Sequence, residues 1–397
     1  MNRLASEGIR FNAFTTAPQC SPSRASLTTG RYPHCNGVLG LTHAHFGWDL
    51  NAGERTLPQL VRSAGYRSAH FGVEHATRSG DRIGADLFDP GRDPTTILPA
   101  AASFMASSNA APFLLQIGLG ETHRVEGSHF GNQPYDAHGV TVPPYLPNTP
   151  DTRADLADFQ GCVNRADAII GRVLEVIDRQ GLADRTLVIY VSDHGVAFPR
   201  AKCTLYDPGI ALSLIARLPG SVFSGGRQPI GMVSILDVAP TVIELAGLER
   251  PSNLHGRSLV PVASGFDPGW HAVFAEKTFH TYYDPMRSIR TDRWKYIRNF
   301  EAAAGIEIPM DIAGSRSYKA CAGALVPKHH PPAELYDLEA DPIEQANIAG
   351  QPFIAETEAD LHGRLVTWMH ATADPLLDGP VPSPFYRDAQ ISMRAAP

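Results

Sequence analysis

Apolar residues recur at steps of three and four through residues 154–180, where Phe159, Val163, Ala166, Ile170, Val173 and Ile177 form one stripe. That period predicts an amphipathic helix, and Gly181 supplies its stop. Two runs break the rhythm: Phe113–Gly118 and residues 186–192 are apolar without alternation. Continuous runs of this length predict strands covered on both faces, as in parallel sheets. Further strands are expected at residues 9–14, 66–72 and 212–218, and further helices at residues 1–7, 56–64, 95–107 and 236–246. Strands alternating with helices indicate an α/β fold with a mainly parallel central sheet flanked by helices. Residues 124–152, rich in Pro, Gly, His and Asn, predict a long loop of the kind that shapes binding sites.

The pattern changes near residue 265. Short strand candidates at residues 272–275, 287–291 and 294–298 follow, the last two joined by a tight turn at Asp292-Arg293. A helix at residues 355–370 and a Pro-rich tail end the chain. The expected organisation is a catalytic α/β domain over residues 1–265 and a smaller C-terminal antiparallel α+β subdomain over residues 266–397.

At 397 residues, with 43% apolar and 19% charged positions, the chain is long enough for a sizeable core. A net charge of −7 gives no reason to expect a nucleic-acid partner, so any anion site must use local positive charge. The longest uncharged run, residues 94–120, contains Pro99, Ser107, Ser108, Asn109 and Pro112 and does not read as a membrane span. Five cysteines (Cys20, Cys35, Cys162, Cys203 and Cys321) without C-x-x-C spacing argue against a disulfide framework or a zinc site. Cys203 is expected to pack in the core. No signal peptide is visible, and localisation stays open because the first residues read as the last turns of a helix already under way.

The stretch from Cys20 to Arg31 carries the strongest chemistry. Cys20 would head a short helix, where unpaired N–H groups and the macrodipole favour negative charge. Pro22 is tolerated in a first turn, Arg24 lies one turn from Cys20 on the same face, and Gly30 suits a helix end. A buried structural cysteine beside a surface helix would share these features. Asp193-His194-Gly195 follows the strand at residues 186–192 directly, where open α/β sheets place ligands. A carboxylate beside an imidazole suits a divalent metal, although an Asp helix cap with a solvated His is equally compatible.

Cys-x-Pro-x-Arg followed by Ala-Ser-Leu-x-Thr-Gly-Arg-Tyr-Pro, over Cys20 to Pro33, resembles the signature of the type I sulfatases of the alkaline-phosphatase-like superfamily. The resemblance implies that Cys20 is oxidised to formylglycine by a formylglycine-generating or anaerobic sulfatase-maturating enzyme. The hydrated aldehyde would then attack sulfur with one hydroxyl, and deprotonation of the second would expel sulfate. It implies further that Asp193 and His194, with residue 20, hold a divalent metal, Ca²⁺ ahead of Mg²⁺. Lys202, before Tyr206-Asp207-Pro208-Gly209, matches a basic residue that contacts sulfate, and Arg200 is left on the surface. His123 matches a histidine that binds sulfate or protonates the leaving atom. His75 matches one that contacts the formylglycine and assists the second proton transfer.

Two departures stand out. Val73 replaces a usual lysine, leaving Lys202 or Lys277 to compensate. The family's earlier strand with paired metal-binding aspartates has no counterpart among the nineteen residues before Cys20, where Glu7 is the lone acid. His280 is a candidate for reaching the site, whereas His43 and His45 carry no specific signal. Residues 334–338 resemble a structural landmark of the family. His123-Arg124 and the run from Lys202 to Gly209 look closest to heparan N-sulfatase-like proteins. The expected activity is hydrolysis of sulfate esters or sulfamates on a sugar or glycan. A phosphonate or phosphate ester hydrolase and a non-catalytic binder of anionic glycans remain as alternatives.

Overall fold

The computed structural model describes residues 1–108, 111–125, 128–131, 133–302, 305–321 and 329–394. Seven strands build the larger part: β1 (Ile9–Thr15), β2 (Arg67–Gly72), β3 (Leu87–Asp89), β4 (Phe113–Gly118), β5 (Val188–Val191), β6 (Ala211–Arg217) and β7 (Val233–Ser234). They form two sheets, ordered β3-β2-β4 and β5-β6-β1-β7. The first is parallel throughout. In the second, β7 runs parallel to β1, while β6 is antiparallel to both β5 and β1. The expected mainly parallel architecture thus holds with β6 reversed. The chain leaves β5 at its carboxyl end, loops through residues 192–210 and returns at that same end without a crossover helix, which imposes the antiparallel sense.

The main helices are α1 (Asn2–Glu7), α2 (Cys20–Thr29), α3 (Pro94–Ser107), α4 (Pro150–Arg179) and α5 (Val238–Leu245). On one side, Phe11, Phe14 and Leu214 pack with Leu236 and Val238. On the other, the predicted stripe of α4 joins α3: Leu174, Ile177, Ile97 and Phe104 cover Ala69 and Phe71, with Leu115 and Ile117 of β4 and Val188 and Tyr190 of β5 against the same cluster. One helical layer therefore spans both sheets.

Four further strands, β8 (Val273–Phe279), β9 (Tyr283–Arg290), β10 (Trp294–Asn299) and β11 (Ala333–Asp337), form an antiparallel sheet ordered β11-β10-β9-β8. The turn at Asp292-Arg293 closes through Thr291 N–H to the Trp294 carbonyl at 2.8 Å, as expected. The 334–338 landmark supplies the edge strand β11. Helix α6 (Ala355–Ala371) lays Leu361, Leu365 and Trp368 on Ile289, Tyr296 and Leu335. β8 runs longer than its apolar stretch because Glu276 and Lys277 are buried within it as ion pairs.

Candidate active site

β1 ends at Thr15, and the extended backbone of Gln19 (φ −145°, ψ 153°) delivers Cys20 to the first position of α2. Pro22 sits in the first turn. Gly30 closes the helix at φ 66°, where an added Cβ would also press within 3.1 Å of Leu254. From the end of β5, residues 192–195 fold over Cys20. A Cβ on Gly195 would fall 1.9 Å from the Pro208 carbonyl, so only glycine lets this loop approach so closely.

The result is a charged cluster around one thiol. Cys20 Sγ lies 3.1 Å from His194 Nε2, and His194 Nδ1 is 2.8 Å from the Gly195 carbonyl. That second contact assigns a proton to Nδ1, and Nε2 faces the sulfur. Arg24 donates to Asp193 Oδ2 at 2.8 Å and to the Val73 carbonyl at 3.0 Å. Burial pushes the Cys20 thiol up, but the charges of His194 and Lys202 outweigh it and hold the thiol well below its ordinary range. Burial opposes the charge on His194, and Asp193 and Cys20 together raise it. The Arg24 guanidinium likewise overcomes burial to hold the Asp193 carboxyl low.

In the same cavity, Lys202 Nζ stands 3.3 Å from His123 Nε2 and donates to Asp311 Oδ2 at 2.7 Å. His123 is half exposed, and its Nδ1 is 2.6 Å from the Arg124 carbonyl, which turns Nε2 toward Lys202. His75 lines the cavity as well, with its ring centroid 4.2 Å from that of His43. His43 is pushed down to about 4, by burial first and then by His75. His45 and His280 complete a histidine-rich wall.

Three sequence readings need correction or addition. Lys277 is no spare cation for sulfate: it is fully buried, donating to Asp284 at 2.6 Å and paired with Glu307 at 2.7 Å. Arg200 is not a surface residue. It is buried over the Tyr206 ring at 4.0 Å and donates to the Ile343 and Glu344 carbonyls. Asp311, on the one-turn helix Met310–Ala313, faces the cavity and was not anticipated. A lone acid outside any periodic element carries no sequence signal. Arg124 is structural, forming a buried bidentate pair with Asp155 at 2.9 and 2.8 Å.

Donor atoms of Cys20, Asp193 and His194 lie within 4.8 Å of one another, so they fit one face of a cation's coordination sphere. A hard cation such as Ca²⁺ takes six to eight oxygens (roughly), and this face offers one carboxylate. Beside it the fold opens. β4 and β5 are both sheet edges, and both strands line the cavity that reaches Cys20. Five of six β4 residues and all four of β5 are only partly buried despite their apolar sequences. The cavity of about 660 Å³ runs along both strands.

The sequence matches the Sulfatase family over residues 1–248 and the C-terminal region of N-sulphoglucosamine sulphohydrolase over residues 195–317. The human protein N-sulphoglucosamine sulphohydrolase is 31% identical, over 96% of this chain and 86% of that one. The chain belongs to the sulfatase family. An ulvan-active sulfatase of Formosa agariphila is 29% identical to this sulfatase over 97% of the chain and 77% of its own length. Among solved structures, one in complex with its substrate D-glucosamine-2-N,6-O-disulfate superposes with a TM-score of 0.70 at 19% identity, covering 96% of this sulfatase and 93% of that chain. A 2-O GAG sulfatase gives a TM-score of 0.70 at 20% identity, covering 95% and 87%. These two confirm the fold. Membership also implies a formylglycine residue and a divalent metal, and it identifies this sulfatase as a sulfuric ester hydrolase.

Proposed function

We propose that this sulfatase removes sulfate from an amino-sugar unit of a glycan, with the N-sulfo group as its preferred target. The observation that carries the reading is the convergence of Cys20, Arg24, His75, His123, Asp193, His194 and Lys202 on one cavity, together with the human N-sulphoglucosamine sulphohydrolase relative. Cys20 Sγ marks where the oxygens of a formylglycine hydrate would stand, made by a maturation enzyme acting on the chain. Such a hydrate supplies an oxygen nucleophile and, on the same carbon, a second hydroxyl for release of sulfate. His194 Nδ1 is committed to the Gly195 carbonyl, so Nε2, which faces residue 20, is the nitrogen that would serve the metal. Arg24 and Lys202 would bind the sulfate oxygens, and His123 would protonate the atom that leaves. His75 assists the second proton transfer.

Residue 20, Asp193 and His194 would hold the metal, Ca²⁺ ahead of Mg²⁺, and the ion would neutralise charge on the bound sulfate. An extended segment in the cavity between β4 and β5 would bring further carboxylates to the cluster of Arg24, His194 and Lys202. A strand-length apolar segment ending in two aspartates, joined to Met1 through a flexible linker, is expected to slow amide exchange in Phe113–Gly118 and Val188–Val191 at least about tenfold. Exchange in β8 to β11 should not change. Unaltered exchange in β4 and β5 rejects the slot.

Tryptic cleavage after Arg10 and Arg24 releases a peptide carrying Cys20, and its mass separates cysteine from formylglycine. Formylglycine is expected in protein made beside a competent maturation enzyme. Sulfate release should then be greater from N-sulfo-D-glucosamine than from an aryl sulfate. Turnover of a phosphonate diester in preference to both would overturn the reading.

A further inference from the structure

Lys202 and His123 share their pocket with an acid that an anion-binding site has no evident use for. Asp311 is 15% exposed and lies 2.7 Å from Lys202 Nζ and 3.5 Å from His123 Nε2. Burial raises its carboxyl, but Lys202 first, then His123 and His280, hold it below the ordinary carboxylate range, so it is charged. A fixed carboxylate repels an incoming sulfate and competes for Lys202. Its position is informative. Displacement at sulfur sends the leaving atom out opposite the attacking one. His123, the residue assigned above to protonate that leaving atom, lies 3.5 Å from Asp311.

We propose that Asp311 is a specificity-determining residue that reads the nitrogen of an N-sulfo group. The inference rests on the hydrolase reading above and deepens it. A sulfamate nitrogen carries an N–H that can donate to the Asp311 carboxylate, whereas the bridging oxygen of a sulfate ester has no hydrogen and meets only like charge. On cleavage the S–N bond breaks, its electron pair stays on nitrogen, and His123 supplies the proton that completes the NH₂ group. The sulfur forms its new bond to the residue-20 oxygen. A second proton, from solvent, makes an ammonium that Asp311 pairs as the amino sugar leaves. Sites built to hydrogen-bond an N–H reject analogues lacking it far more strongly than apolar pockets reject a missing methylene.

Two measurements test this. In the first, sulfate release from N-sulfo-D-glucosamine and from D-glucose 6-sulfate is compared for the parent, Asp311→Ala and Asp311→Glu. The ratio of their kcat/KM values is expected to fall about 30-fold in Asp311→Ala, mostly through the N-sulfo substrate, and to recover partly in Asp311→Glu. A fall by the same factor on both substrates would show a merely structural residue and overturn the proposal. The second needs no turnover. D-glucosamine and D-glucose are titrated calorimetrically into the parent and Asp311→Ala. The parent should bind glucosamine at least about tenfold more tightly than glucose, and the variant should bind the two alike. Equal binding of both sugars by the parent overturns the role of Asp311, even where sulfate release shows the hydrolase reading to be right. Absence of sulfate release from every substrate would fail that reading instead, and the titration would still decide Asp311.

Discussion

Replacing Cys20 with alanine is expected to lower sulfate release at least about 10⁴-fold, the scale on which removing a covalent nucleophile acts. Cys20 is 5% exposed at the head of α2, and it is the residue on which His194, His123 and Lys202 converge. Stability should change little by comparison. His194 keeps the Gly195 carbonyl at 2.8 Å and Asp193 at 3.8 Å, and a thiol-to-methyl change opens almost no cavity. A thermal midpoint within a few degrees of the parent, alongside lost turnover, is the expected pair of results. Turnover within tenfold of the parent would remove Cys20 from the chemistry, whatever its oxidation state in the parent.

Spacing made part of this legible in advance. Arg24 had to lie one turn from Cys20 once a helix began there, and Asp193-His194 had to stand at the carboxyl end of a strand. Phe113–Gly118 was bounded correctly because its apolar run is unbroken. The same runs concealed the slot. Hydropathy reports the faces of a strand, and the faces of β4 and β5 are apolar, but pairing belongs to the edges and leaves no mark in composition. Charged residues failed for a related reason. Lys277 looked free because Asp284 and Glu307 come to it only in the fold, and Arg200 looked solvated because its partners are carbonyls of residues 343 and 344. Asp311 lies 109 residues from Lys202. Nothing periodic surrounds it, so its place beside Lys202 and His123 could be learned only from coordinates.

The second large effect is on stability and arises where α2's neighbourhood meets the C-terminal sheet. His34 lies 2.6 Å from Glu276, while Arg287 pairs with Asp374 at 2.5 Å and with Glu276 at 3.3 Å, all four side chains being essentially inaccessible. Glu276 and Arg287 are direct cross-strand partners in β8 and β9. Donor atoms of His34, Glu276 and Asp374 cluster as a metal site would, but the Arg287 guanidinium already supplies the positive charge. Two cations balance two carboxylates only while His34 is protonated. Burial opposes that charge, yet Glu276 raises the imidazole to about 10 from an ordinary 6.5. A group raised on folding stabilises fully below its unfolded value and loses that contribution as pH climbs through the folded one. Stability should therefore hold up to about pH 6.5 and fall by on the order of 4 kcal/mol toward pH 10. His34→Gln should be less stable by a similar amount near pH 6, since removing one partner strands a buried charge. It should also lose most of the alkaline slope. Urea midpoints at half-unit steps between pH 6 and 10 test both statements together. Parallel curves for parent and variant would mean that His34 is neutral in the folded protein, with Arg287 alone balancing Glu276 and Asp374.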